Sequence, residues 1–273
     1  MVSSMQSVCG TLGIDRVDMR GKIVLIEEQH GCDANFLVSA LISNALKKNY
    51  GLCFVLFHNT FDHYHNISMR TGYNLTALKE KGKVAVVESM KELVCNINAM
   101  CMDIDKKVQN SNEDNKCSGM NVVHNLFKLL KESYNEVEKE SESVLIIIDD
   151  ISHLFDLGLS LRDSLYFVRY IRSLMESHST TQLCIVAHTY EGDLQSCVPD
   201  VVCNSLKYMA HLILVVEPLK TGHSSDASGK VTVCWNIDSV RSEYHWTERM
   251  IYLYKLLDWH VKIFAPGAMT SVV

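Results

Sequence analysis

No pair among the 10 cysteines of this chain has the C-x-x-C spacing that zinc ribbons and thioredoxin-like sites need. The thiols are scattered from Cys9 to Cys234, and isolated cysteines pack as small hydrophobes in a reducing compartment. Long apolar runs are missing too: VLIII and LILVV are far too short to cross a bilayer. The opening MVSSMQSVCGTLGIDRVDMRGK has no basic start followed by a continuous apolar stretch, so it does not read as a signal peptide. A soluble intracellular chain is expected. Proline is scarce, with 3 in 273 residues, and 47% of the residues are hydrophobic against 21% charged, which excludes global disorder. A formal charge of -6 excludes a surface that is basic overall and leaves room for a local basic patch or a basic partner subunit.

The length suits one α/β domain with insertions, so residues 1–273 are read as a single domain. After a weakly patterned, weakly ordered leader over 1–20, KIVLIEE (22–28) reads as a buried strand. In DANFLVSALISNALKKN (33–49), Phe36, Leu37, Ala40, Leu41, Ala45 and Leu46 recur at helical spacing behind an acidic first turn. LCFVLFH (52–58) then completes a βαβ unit. FDHYHNISMRTGYNLTALKEKG reads as a short helical excursion, and KVAVVES (83–89) as a third strand of the parallel interior kind. The polar, aperiodic DIDKKVQNSNEDNKCSG (103–119) reads as a mobile surface insertion.

Amphipathic helices are expected over 121–140 and 159–178, the second facing inward through Leu161, Leu165, Val168, Ile171 and Met175. SVLIIIDD (143–150) and QLCIVAHT (182–189) are further strands. The rhythm then changes: AHLILVVEPL, KVTVCWNI, MIYLYKLLD and WHVKIFAP are strand-like runs on short links, with no helix-length segment between the later ones. The fold class is α/β, a mostly parallel central sheet extended by antiparallel C-terminal hairpins.

SVLIIIDD poses the functional question. In P-loop nucleotide hydrolases a buried strand ending in acid, here Asp149 and Asp150, holds magnesium. Its companion, G-x-x-x-x-G-K-[ST], lies between the first strand and the first helix, where backbone N–H groups cradle phosphate and a lysine neutralises it. EEQHGCDANFL stands there instead, with one glycine, Gly31, and no lysine. Asp33, Ala34 and Asn35 take the place of Gly-Lys-[Ser/Thr], and Asp33 together with Glu27 and Glu28 would repel a triphosphate. Hydrolysis is not expected. Asp149 and Asp150 read as caps or bridges at the carboxyl edge of the sheet, with a residual role in a subunit interface as the alternative. No catalytic residue, cofactor or metal is expected; HNTFDHYH gathers His58, Asp62, His63 and His65, but their spacing fits no familiar metal site.

The degenerate loop, VLIIIDDISHLFDLG, QLCIVAHT, the block LKYMAHLILVVEPLKTGHSSDASGKVTVCW and the ending YLYKLLDWHVKIFAPGAMTSVV together resemble the Elongator complex protein 6 family, from about residue 20 onward. The resemblance implies a RecA-like fold without Walker motifs and a non-catalytic role. It also implies assembly with Elongator proteins 4 and 5 into a hetero-hexameric ring that binds tRNA and docks on the catalytic subcomplex of Elongator. The process served would be wobble-uridine (U34) modification in tRNA anticodons, in the cytoplasm and also the nucleus.

In RecA-like rings the loop after the strand QLCIVAHT commonly faces the pore. Here YEGDLQSCVPDVVCNS (190–205) has Glu191, Asp193 and Asp200 and no lysine or arginine, which repels phosphate, so partner subunits are expected to supply most of the RNA affinity. Lys220, His223 and Lys230, flanking a glycine- and serine-rich hairpin, are the better local RNA candidates, against an ordinary solvated turn. Lys79, Lys81 and Lys83 read as a solvated helix end. Tyr252, Tyr254 and Trp259 read either as interface aromatics or as the core of an antiparallel hairpin. Two rival readings stay open: a divergent ATPase holding nucleotide through an unusual loop, and a stand-alone adaptor with no RNA role.

Overall fold

The computed structural model describes residues 2–89, 119–190, 198–219, 224, 226–258 and 260–267. All but the last residue of the expected insertion, 103–119, lies outside them. The strands are β1 (Ile23–Gln29), β2 (Gly51–Leu56), β3 (Val84–Glu88), β4 (Val144–Asp149), β5 (Gln182–Thr189), β6 (Leu212–Glu217), β7 (Gly229–Trp235), β8 (Met250–Leu256) and β9 (Val261–Phe264). The helices are α1 (Val2–Leu12), α2 (Asn35–Lys47), α3 (Phe61–Arg70), α4 (Leu75–Glu80), α5 (Gly119–Lys139), α6 (Leu161–Ser177), α7 (Val198–Lys207) and α8 (Asp238–Tyr244). A 3-10 turn, Ile151–Leu154, follows β4.

These strands make one sheet in the order β3-β2-β4-β5-β1-β6-β7-β8-β9. From β3 to β6 all pairs are parallel, and β7, β8 and β9 are added antiparallel. Every residue of β4, VLIIID, is buried, because helices cover both of its faces and the side chains alternate between two apolar layers. Val24 and Ile26 of β1 pack with α1, α2 and α3, whereas Ile23 and Leu25 pack with α5, α6 and α7. The mostly parallel α/β architecture with an antiparallel C-terminal wing is the one expected from the order of the elements.

Three local expectations need correction. The leader is not weakly ordered: it forms α1, with Met5, Val8, Cys9 and Leu12 buried one to two turns apart against α2. Cys9 Sγ donates to Ala40 O at 3.3 Å, and Trp235 Nε1 donates to Leu12 O at 3.1 Å. The inward stripe of α6 runs through Phe167, Val168, Ile171, Leu174 and Met175, leaving Leu161 and Leu165 half-exposed. A capping box between Ser160 and Asp163 starts this helix at Leu161 and so puts both leucines in its first two turns, ahead of the buried stripe. Finally, α8 stands between β7 and β8, where a short link was expected.

The turn after α1 requires glycine. Gly13 has φ +77°, and a Cβ there would lie 2.1 Å from the Trp246 ring. Gly13→Ala is therefore expected to destabilise the chain by about 2–3 kcal/mol, combining left-handed strain with overpacking, read as a lowered urea midpoint at unchanged slope.

Candidate functional site

The carboxyl ends of β1, β2, β4 and β5 open onto a cavity of about 250 Å³ whose lining includes Glu28, Asp33, Asn35, His58, Asn59 and His188. Ligands of open α/β sheets bind in this crevice. The register sets its chemistry by placing Glu28 of β1 opposite His188 of β5 and by carrying β4 to its end at Asp149 beside Leu56 of β2.

Between β1 and α2 the chain turns through Gly31 at φ +87°, with open space around the position of a Cβ. Two of the donors that a phosphate loop would offer are already used. Glu28 Oε2 accepts the N–H of Ala34 at 2.9 Å, and Asp33 Oδ1 accepts that of Asn35 at 2.8 Å. Ala34, the N-cap of α2, gives no side-chain cap, so these carboxylates do the capping. Asp33 thus lies just ahead of the helix and not within its first turn as expected. The positive end of α2 faces an anion supplied by the chain itself.

The acidic pair of β4 points two ways. Asp149 is buried, and its Oδ2 accepts from Tyr64 Oη at 2.7 Å and from Asn59 Nδ2 at 2.9 Å. Burial pushes the Asp149 carboxyl up and, with Asp149 beside it, pushes the Tyr64 phenol well above its usual range. Asp150, 1% exposed, caps the 3-10 turn by accepting Ser152 N–H at 2.8 Å. Its Oδ2 also meets His188 Nδ1 at 2.7 Å, while His188 Nε2 lies 3.2 Å from Glu28 Oε1. Hydrogen bonds to Asp150 and Glu28 raise His188 to about 10, so it is an imidazolium at neutral pH. The cation at the centre of this site is therefore a histidine joining β1, β4 and β5, and the carboxylates act as the caps and bridges that the sequence suggested.

At the rim, His58 stacks on His153 with ring centroids 4.8 Å apart, and His153 Nδ1 is 2.6 Å from Asp156 Oδ2. His63 and His65 sit on α3, the start of the expected helical excursion, where His65 Nδ1 meets Thr76 Oγ1 at 3.2 Å. Among the described residues no three His, Cys, Asp or Glu side chains are grouped to hold a metal ion. Sequence reasoning missed Asn59, Tyr64 and His188. His188 alone left a signal, as a titratable residue near the carboxyl end of an otherwise apolar strand.

The other candidates lie elsewhere. Tyr254 is 1% exposed and packs on Phe36 at 4.8 Å, so it belongs to the core and is corrected as an interface residue. Tyr252 is half-buried on the same face, and Trp259 is outside the described residues. Lys220 and His223 also lie outside them, while Lys230 pairs with Glu217 at 2.9 Å. Of the acidic stretch 190–205, residues 191–197 are outside the described residues and the rest, after Tyr190, begins α7 and is not loop. No helix among the described residues is long and apolar enough to cross a membrane.

Comparison with known proteins gives the family and the fold. Elongator complex protein 6 from Homo sapiens is 28% identical over 262 residues, covering 95% of each chain. The protein of that name from Drosophila melanogaster is 24% identical over 268 residues, covering 98% of each. Among solved structures, a KaiC-like protein from the archaeon Pyrococcus horikoshii OT3 superposes with a TM-score of 0.52 over 90% of each chain at 12% identity, which shows the RecA-type fold. The family model described as Elongation complex protein 6 matches residues 11–258, most of the chain's length, and the chain belongs to that family.

Proposed function

We propose that the chain is a non-catalytic Elongator subunit that joins Elongator proteins 4 and 5 in a hetero-hexameric ring, through which tRNA is bound and wobble-uridine modification is supported. The observation that carries the non-catalytic part is Glu28 on the Ala34 N–H, an internal carboxylate at the helix end where phosphate would sit. Asp149 and Asp150 are likewise committed, to Tyr64 and to His188. Family membership and the RecA-type fold support the assembly, and the ring works in the cytoplasm and the nucleus. tRNA contacts fall mainly to the partner subunits, because Lys230 is already paired.

Native mass spectrometry of the tagged chain purified from its own cells tests this reading. The expected result is a hexamer with two copies each of this chain and of two related subunits, this chain carrying no nucleotide. A homo-oligomer loaded with ATP or ADP would restore the divergent ATPase, and a lone empty monomer would leave the adaptor. In calorimetry, the isolated chain is expected to show no binding of magnesium–ATP up to about 1 mM, a free energy weaker than about 4 kcal/mol.

A further inference from the structure

The helix layer over one face of the sheet stops short. On the side of α5 and α6, the last helix is α7, whose Val202, Cys203 and Leu206 pack over β5 and β1. Beyond it, on β6 to β9, the cover thins: Ile213 of β6 is still buried in this layer, with Val215 and Cys234 packed at its edge, and among the described residues no side chain of β8 or β9 belongs to it. Their other face is covered: Val231, Val233, Trp235 and Tyr254 are buried there, with Tyr252, Leu256, Val261 and Ile263 packed against them. Alternation along each strand then puts Thr232, Ile251, Leu253 and Phe264 on the open side, next to Cys234 at the edge of the covered layer.

The pairing gathers these side chains into rows. Val215, Thr232 and Ile251 lie side by side across β6, β7 and β8, and Lys230, Leu253 and Phe264 across β7, β8 and β9. Ile251 is 45% exposed, an unusual state for isoleucine in a strand with neighbours on both edges. Around this apolar centre stand Lys255 and Lys262, paired opposite each other, and Lys230, with Glu217 as its partner. Arg249 and its neighbour Glu248 both stand near the Cys234 thiol and act on it in opposite directions. An apolar middle with a mainly cationic rim is the anatomy of a protein interface. It fits RNA poorly, because phosphate contacts need cations at the centre and Lys230 is held by Glu217.

We infer that this open face seats an amphipathic helix of a partner subunit, apolar on its inner stripe and acidic along its flanks. A helix about 10 Å across spans two strands at about 4.8 Å spacing, so one helix over β7 and β8 continues the layer that α7 ends. The internal stretch 90–118 is a poor source for it: its ends join β3 and α5, β3 lies seven strand positions or about 34 Å from β8, and crossing that distance out and back would take about 20 of its 29 residues, leaving too few for a covering helix. The stretches 191–197 and 220–223 are too short to cover this face. The inference rests on the subunit reading only for the existence of a partner.

Photocrosslinking tests it. Benzoylphenylalanine is placed at Ile251, and as a control at the exposed Met69 of α3, in the full chain expressed in its own cells. The complex is purified, illuminated and mapped by mass spectrometry. Expected is a crosslink from position 251 to a carboxylate-bearing helical segment of a co-purifying subunit. Ile251→Glu should weaken association with that subunit at least about tenfold, with the thermal midpoint of the free chain unchanged. Crosslinks to residues 90–118, to a second copy of this chain or to RNA overturn the inference, as does no crosslink at 251 while the subunits co-purify. Absence of co-purifying subunits before illumination overturns the subunit reading and this inference together.

Discussion

Trp235→Ala is expected to lower stability by about 4 kcal/mol and to release α1 from the sheet along with the side chain it removes. Trp235 is 1% exposed at the end of β7, and its indole N–H holds the carbonyl of Leu12, the last residue of α1. Its ring lies 5.6 Å from that of Trp246, which stacks in turn on Tyr244 at 4.8 Å. Three losses therefore fall on one substitution: a large transfer term, a cavity under the Trp246 ring, and a helix-end carbonyl left without its donor. Denaturant unfolding gives the total, and hydrogen exchange over residues 2–12 shows whether α1 loosens first. Trp235→Phe retains most of the packing and loses only the hydrogen bond, so it should cost about 1–2 kcal/mol. A cost below about 1 kcal/mol for Trp235→Ala would mean that α1 is not docked as described.

The same residues show why the sequence was legible in some places and silent in others. VLIIIDD and QLCIVAHT declare themselves because interior parallel strands are buried on both faces, which leaves continuous β-branched runs. The spacing of Met5, Val8, Cys9 and Leu12 suits a helix, but Ser3, Ser4 and Ser7 dilute it and no capping residue announces its start. What secures α1 is a tryptophan more than two hundred residues away, which local periodicity cannot reveal. Tyr254 was open to two readings because alternation along β8 does not say which side the helices cover. At the site, the missing lysine and glycines were visible at once. The occupation of the phosphate position by Glu28 was not, because it depends on the register that sets β1 against β5.

Asp150→Asn is expected to cost about 3 kcal/mol at pH 7, nearly all of it from the charge, because asparagine caps the following turn as well as aspartate does. Asp150 accepts Ser152 N–H and holds the His188 imidazolium, which is only 24% exposed. Once Asp150 is neutral, Glu28 at 3.2 Å is the remaining partner, and a largely buried cation is left half-compensated. The pH dependence separates this from a packing defect. His188 is raised from 6.5 to about 10 in the folded chain, so the stability it supplies is full below about pH 6.5 and is lost as pH rises through about 10. The gap between the parent chain and Asp150→Asn should therefore close between those limits, to under about 1 kcal/mol at the alkaline end, as the imidazole loses its proton. In an NMR titration the His188 midpoint should fall from about 10 toward the ordinary histidine range in Asp150→Asn, and further when Glu28→Gln is added. A pH-independent gap would show that Asp150 acts through its cap or its shape and not through the imidazolium. A carboxylate engaged in this way is not available to a metal ion, so the result bears directly on the proposal that this strand, which ends like a hydrolase strand, serves here as a structural bridge.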